Sequence, residues 1–176
     1  MTQILSSTAA RIGNSAPQLA LETYYTLQNP ANSNFLSWQG GGAFMAKQAI
    51  IYPTAKDLWF SDPAGADSGL IVTGQNLYIK ISVTVHLWLA ISTPPTDFAQ
   101  WANIGGEDIQ YEWQLYVDDN LTPNLPIYLG QQPLYIQSVA FPGYFLAQIP
   151  NSQDPSWVSV TNSPFPWGVE QEGGEG

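Results

Sequence analysis

Glu22 and Glu112 are the two acids that fall within strand-like stretches, each flanked by Tyr and polar side chains. Glycoside hydrolysis needs two carboxyl groups facing each other across a cleft, roughly 5.5 Å apart for retention and 6.5–9.5 Å for inversion. Two strand glutamates on a concave sheet would meet that demand, so a jelly-roll glycoside hydrolase using Glu22 and Glu112 is one reading of the chain. The simpler one sends both into solvent opposite core residues, because a fold by itself carries no chemistry. His86 is the sole histidine. One imidazole makes neither a His-rich metal site nor, without placed partners, a catalytic triad. It is expected to be a half-buried ring bonded to a neighbour.

Asp57, Asp62 and Asp67 stand five residues apart, and Glu107-Asp108 and Asp118-Asp119 add further acidic stretches. Calcium takes six to eight oxygens, so carboxylates from several loops would have to converge. No EF-hand pattern is present, and Asp residues that cap their own turns explain the spacing more cheaply. The expectation is no cofactor, with a structural calcium on Asp62, Asp67, Asp118 and Asp119 as the alternative. The phosphate and nucleophile motifs G-x-x-x-x-G-K-[ST], G-x-G-x-x-G and G-x-S-x-G are absent. Gly40-Gly41-Gly42 lacks the following lysine-bearing helix and reads as a loop.

Rings are the stronger pointer. Seven Trp, nine Tyr and seven Phe make up 13% of the 176 residues, while charged residues are only 10%, against roughly 25% in an ordinary domain. Surface polarity must then come from amides and hydroxyls, which suits neutral polar ligands and protein contact. Tyr78, Trp88, Trp101 and Tyr116 are the expected contact residues, and Trp113 the expected core tryptophan. Four cations against fourteen carboxylates leave a net charge of −10. That argues against nucleic acid and against anionic membrane surfaces, both of which require clustered Lys and Arg.

The elements that must position these residues are strands. In Leu77 to Ile91 every odd residue is aliphatic, while the even positions carry Tyr78, Lys80, Ser82, Thr84, His86, Trp88 and Ala90. Side chains alternate faces along a strand, so this run reads as one long strand with an oily face and a mixed face. Fifteen extended residues would reach roughly 50 Å, which calls for a bend or bulge near the middle. Leu19–Leu27 and Ile109–Val117 alternate likewise, and shorter strands are expected at Ile127–Leu129, Leu134–Phe141, Tyr144–Ile149 and Trp157–Thr161. Fourteen prolines suit loops and edges.

The predicted fold is therefore all-β, a single-domain antiparallel β-sandwich of jelly-roll or Greek-key topology, with at most a short helical turn near 95–101. No internal repeat stands out. Residues 1–18 read as a polar arm, 19–167 as the sandwich domain and 168–176 as an acidic, Gly-rich disordered tail. No basic segment precedes an apolar core, so no secretory signal is expected and the cytoplasm is the default. No membrane-spanning run and no cysteine occur. The leading expectation is a non-enzymatic recognition or assembly module that binds carbohydrate or protein, with homo-oligomers possible. A shell, fibre or appendage subunit, reaching a neighbour through the arm, is the further alternative.

Overall fold

The computed structural model describes residues 16–39, 47–82, 86–92, 99–103, 109–130, 132–148 and 158–171. Among them are thirteen strands and no helix. They are β1 (Tyr25–Asn29), β2 (Asn34–Gln39), β3 (Lys47–Tyr52), β4 (Trp59–Ser61), β5 (Tyr78–Ser82), β6 (His86–Ser92) and β7 (Gln100–Ala102). After these come β8 (Ile109–Gln110), β9 (Trp113–Tyr116), β10 (Tyr135–Ser138), β11 (Phe145–Gln148), β12 (Val158–Thr161) and β13 (Gly168–Gln171). Every pairing between them is antiparallel. The all-β antiparallel class follows from the alternation of the sequence, as expected.

The long run Leu77–Ile91 is two strands, not one. β5 and β6 fold back on each other with Lys80 opposite Trp88, Ile81 opposite Leu87 and Ser82 opposite His86. Each of these pairs sums to an even number, so partners share parity, and directly opposed residues share a face. The odd residues therefore stay inward through the turn. Leu77, Ile79, Ile81, Leu87, Leu89 and Ile91 are all buried. A hairpin preserves the alternation that a straight strand would show, which is why the sequence pattern hides the turn.

Six strands close a barrel. β4 pairs with β5, β9 with β10, and β13 with β1. The remaining seams are reciprocal backbone bonds at Tyr25–Leu58, Leu77–Trp113 and Leu134–Trp167, each 2.8–2.9 Å. Closure satisfies strand edges that would otherwise invite pairing with other chains. Three hairpins, β2–β3, β6–β7 and β11–β12, cap one end. They meet where Ala49 N donates to Ala99 O and Ala99 N to Val158 O. At the opposite end Leu19 N donates to Ile127 O and Ile71 N to Leu19 O.

These contacts recur in threes. Leu19, Ile71 and Ile127 are equivalent, as are Leu27, Ile79 and Ile136, Leu58, Trp113 and Trp167, and Leu36, Leu89 and Leu146. All twelve are buried in one core. Twelve of the thirteen strands, all but β8 (which pairs with β6), form three successive four-strand units around a pseudo-threefold axis among the described residues, the arrangement called a β-trefoil. The jelly-roll or Greek-key course gives way to this one, and a repeat that was not evident in the sequence is present. Equivalent positions share apolar character but only in part identity, Leu36, Leu89 and Leu146 being identical while the other sets mix Leu with Ile or Trp, and their spacings differ from one unit to the next.

The expected boundaries shift accordingly. Gly168–Gln171, assigned to a disordered tail, is a barrel strand on β1. Gln18, assigned to the arm, bridges Tyr128. Residues 1–15 and 172–176 lie outside the described residues, as does 93–98, most of the expected helical turn. The end of that turn, Gln100 and Trp101, belongs to β7.

Candidate functional site

The hairpin parity that sends odd residues inward puts Lys80 and Trp88 on the outer face of β5 and β6. Trp59 of β4 lies opposite Lys80, so Trp59, Lys80 and Trp88 stand side by side across three strands. The Lys80 ammonium sits 5.5 Å from the Trp59 ring centre and 5.0 Å from that of Trp88. An ammonium over an indole face is worth about 0.5–1 kcal/mol at an exposed site. The row extends both ways by edge-to-face ring contacts. Tyr24 meets Trp59 at 5.5 Å, His86 meets Trp59 at 5.2 Å and Tyr78 meets Trp88 at 6.5 Å.

The surface is graded. Tyr24 is 53% exposed and His86 is exposed, Lys80, Tyr78 and Trp88 are half-buried, and Trp59 forms the floor. Beyond Trp88 the face is covered, because Ala90, Ala102 and Tyr111 make a small second cluster against which Tyr78, Trp88 and Ile109 pack. The Tyr111 hydroxyl closes it by donating to Asn103 O at 2.6 Å. The mixed face of the 77–91 run is thus open at its turn end and closed at the other. Trp88 Nε1 is buried without a hydrogen-bond partner among the described residues. Burial, then the negative charge of Glu112, raises the Tyr78 phenol above its usual pKa. It is a neutral donor and acceptor at ordinary pH.

Of the four expected contact residues, Tyr78 and Trp88 come together in this row. Trp101 does not: it is fully buried and donates Nε1–H to Ser37 O at 3.0 Å. It was expected at the end of a short helical turn near 95–101, but it sits on the short strand β7 facing the core. Tyr116 is also buried and lies on β9, where its hydroxyl donates to Gln114 Oε1 at 2.9 Å. Trp59 and Tyr24 were missed, since only the β4–β5 register and the Tyr24–Trp59 ring contact bring them to this face. Lys80, on the mixed face by alternation, was not counted among the contact residues. His86 was expected half-buried and instead is exposed against Trp59.

The two glutamates occupy different surroundings, and neither is in the middle of a strand. Glu22 stands in a turn with φ of 55° and accepts the Ser61 hydroxyl at 2.5 Å. Glu112 is half-buried between β8 and β9, near Tyr78. Asp62 Oδ1 accepts Ala64 N at 2.9 Å. Asp118 accepts both the Thr122 amide (2.9 Å) and the Thr122 hydroxyl (2.6 Å), which holds its pKa below the usual carboxylate value. Both therefore cap their own loops. Asp67 and Asp119 are exposed, and no group of three or more metal-ligating side chains occurs among the described residues.

Two clefts of about 350 Å³ lie elsewhere. One, on the β2–β3 hairpin, is lined by Ser37, Trp38, Gln39, Ile50, Tyr52 and Lys56, with the Lys56 ammonium 4.9 Å from the Trp38 ring centre. The other lies beside Gly168, where β13 meets β1.

No protein-family model matches the sequence, and no curated protein matches it. Solved structures do resemble it. A lysenin pore superposes with a TM-score of 0.63 at 12% identity, over 90% of this chain and 49% of that one. The chain thus spans about half the length of that protein. A Caenorhabditis elegans protein of unknown function gives 0.62 at 12% identity, over 88% of this chain and 96% of its own. Winged bean albumin 1 gives 0.59 at 11%, over 88% and 94%. At these identities the likeness establishes the β-rich fold alone.

Proposed function

We propose that the protein is a non-enzymatic recognition module that binds carbohydrate through the row Tyr24, Trp59, Lys80, His86, Trp88 and Tyr78. One observation carries this: a graded run of rings around the Lys80 ammonium, on a sheet face open at one end among the described residues. Sugar rings present apolar C–H faces that pack on aromatic rings, with hydroxyls left over for hydrogen bonds. The exposed Tyr24 and half-buried Tyr78 hydroxyls and the Lys80 ammonium supply the polar partners that sugar hydroxyls need. Binding by neutral groups also suits a chain whose net charge of −10 repels acidic partners.

The test is a glycan array followed by titration of the best binder. Trp88→Ala and Tyr24→Ala should each weaken that binder about tenfold, the loss of roughly 1.4 kcal/mol of contact. An array without binders, or affinity unmoved by both variants, would remove the proposal. Carbohydrate turnover lost on Glu112→Gln would favour a hydrolase instead.

A further inference from the structure

The threefold repetition allows the three outer junctions of the barrel to be compared position by position. Trp59 opposes Lys80, Gln114 opposes Gln137 and Gly168 opposes Gln28. At the first junction the chain fills the site itself, with an indole and an ammonium 5.5 Å apart. At the second it is closed by its own hydrogen bonds. Gln114 Nε2 donates to Asn76 Oδ1 at 2.7 Å, Tyr116 donates to Gln114 Oε1, and Gln137 Oε1 accepts Gly143 N at 2.8 Å.

The third junction is open among the described residues. Gly168 has no side chain, and the Gln28 amide turns aside to donate to Ser33 O at 3.0 Å. The result is a cleft of about 350 Å³ whose lining includes Pro30, Pro133, Pro166 and Glu170. Backbone crowding does not demand glycine there. A Cβ at 168 would meet only Gln28 O, at 3.7 Å, an ordinary contact. The exposed Glu170 carboxylate stands where the first junction has Ser61.

Relative to the filled junction, this one lacks an aromatic ring and a cation and has gained an anion. We propose that the Gly168 cleft is a second binding site, for a small aromatic ring that carries an ammonium group. The ring would lie between the proline rings where Trp59 lies at the first junction, and the ammonium would pair with Glu170. Such a ligand supplies from outside what Trp59 and Lys80 supply from within. The site is separate from the row assigned to carbohydrate, and neither depends on the other.

Tryptamine is the probe, titrated into the full chain and followed by saturation-transfer NMR and calorimetry. A ligand of this size should saturate with Kd of about 1 mM. Indole-3-acetate, with the same ring and opposite charge, should bind at least about tenfold more weakly. Butylamine, a cation without the ring, should do the same. Gly168→Trp should abolish binding and Glu170→Gln should weaken it about tenfold, whereas Trp88→Ala should leave it within about twofold. Glu170 is exposed, so its variant carries the test should Gly168→Trp fail to fold. Absence of saturation at about ten times the expected Kd would overturn the proposal. So would binding that Glu170→Gln leaves unchanged, or binding that Trp88→Ala removes.

Discussion

Replacing Trp113 by Phe deletes one indole N–H and leaves the Leu89 carbonyl without its 3.0 Å donor. Both groups are fully buried in the barrel. Stranding a buried carbonyl costs roughly 1–3 kcal/mol, and the space left by the smaller ring about 1 kcal/mol more. The sum is ~2–4 kcal/mol, which for a chain of this size lowers Tm by roughly 5–15 °C. Trp167 makes the equivalent bond, Nε1 to Leu146 O at 3.0 Å, so Trp167→Phe should cost the same within about 1 kcal/mol. Trp88→Phe is the contrast. It gives up about 0.5–1 kcal/mol of cation–ring attraction from Lys80 but also removes an unpartnered N–H. Its net cost should lie below about 1 kcal/mol. Urea denaturation of the three variants at pH 7, checked by thermal melts, decides the matter. A Trp113→Phe cost below about 1 kcal/mol, or a Trp88→Phe cost equal to it, would refute the reasoning, since the hydrogen-bond partner is the largest of the differences between the cases.

Further outcomes follow from other particulars of the fold. Gly74 has φ of +81° and its missing Cβ would lie 3.2 Å from Pro123 Cβ, so Gly74→Ala should cost about 1–3 kcal/mol by denaturant titration. Gly130 has φ of +72° with open space around it, and Gly130→Ala should cost only about 1 kcal/mol. Tyr25 has its phenol pKa raised, first by burial and against the effect of its hydrogen bonds. A phenol raised on folding contributes stability that is intact below its unfolded pKa near 10 and lost as pH rises through the higher folded value. Unfolding free energy should therefore fall above about pH 10, and less steeply in Tyr25→Phe. Asp118 has the opposite sign. Its pKa is lowered by the Thr122 bonds, so its contribution is present above the ordinary carboxylate pKa and lost on acidification. Asp118→Asn should destabilise at pH 7 and lose that effect near pH 2, read as a gap between two denaturation curves that closes.

The class of fold was legible because alternation is a local property. Any chain with Leu77, Ile79, Ile81, Leu87, Leu89 and Ile91 at odd positions must bury one face of a strand, whatever its partners. Core residues read from that parity, such as Trp113, are buried as expected. The threefold repeat was not legible. A barrel layer asks only that Leu58, Trp113 and Trp167 together fill a volume, and Leu beside two Trp does that, so a few matching apolar residues at unequal spacings are all the repeat leaves in the sequence. Of the site, the sequence marked Tyr78 and Trp88 by their alternation on one mixed face. Trp59 and Tyr24 needed a register between strands about twenty residues apart and the ring contact that follows from it, and Trp101 needed the direction of a short strand.

By itself the sequence determined which residues could be apolar neighbours, that the backbone would be extended, and that charge would repel polyanions. Those are sums over single residues and their nearest neighbours. Where the 77–91 run turns, whether its second face is open, and which junction of the barrel stays unfilled were decided only in three dimensions. Hairpin formation leaves side-chain parity unchanged, so no alternation pattern can report it. Gly168 makes the same point: in sequence it looked like the start of a disordered tail. Only its pairing with Gln28, set beside Trp59 with Lys80 and Gln114 with Gln137, makes the missing side chain a cleft.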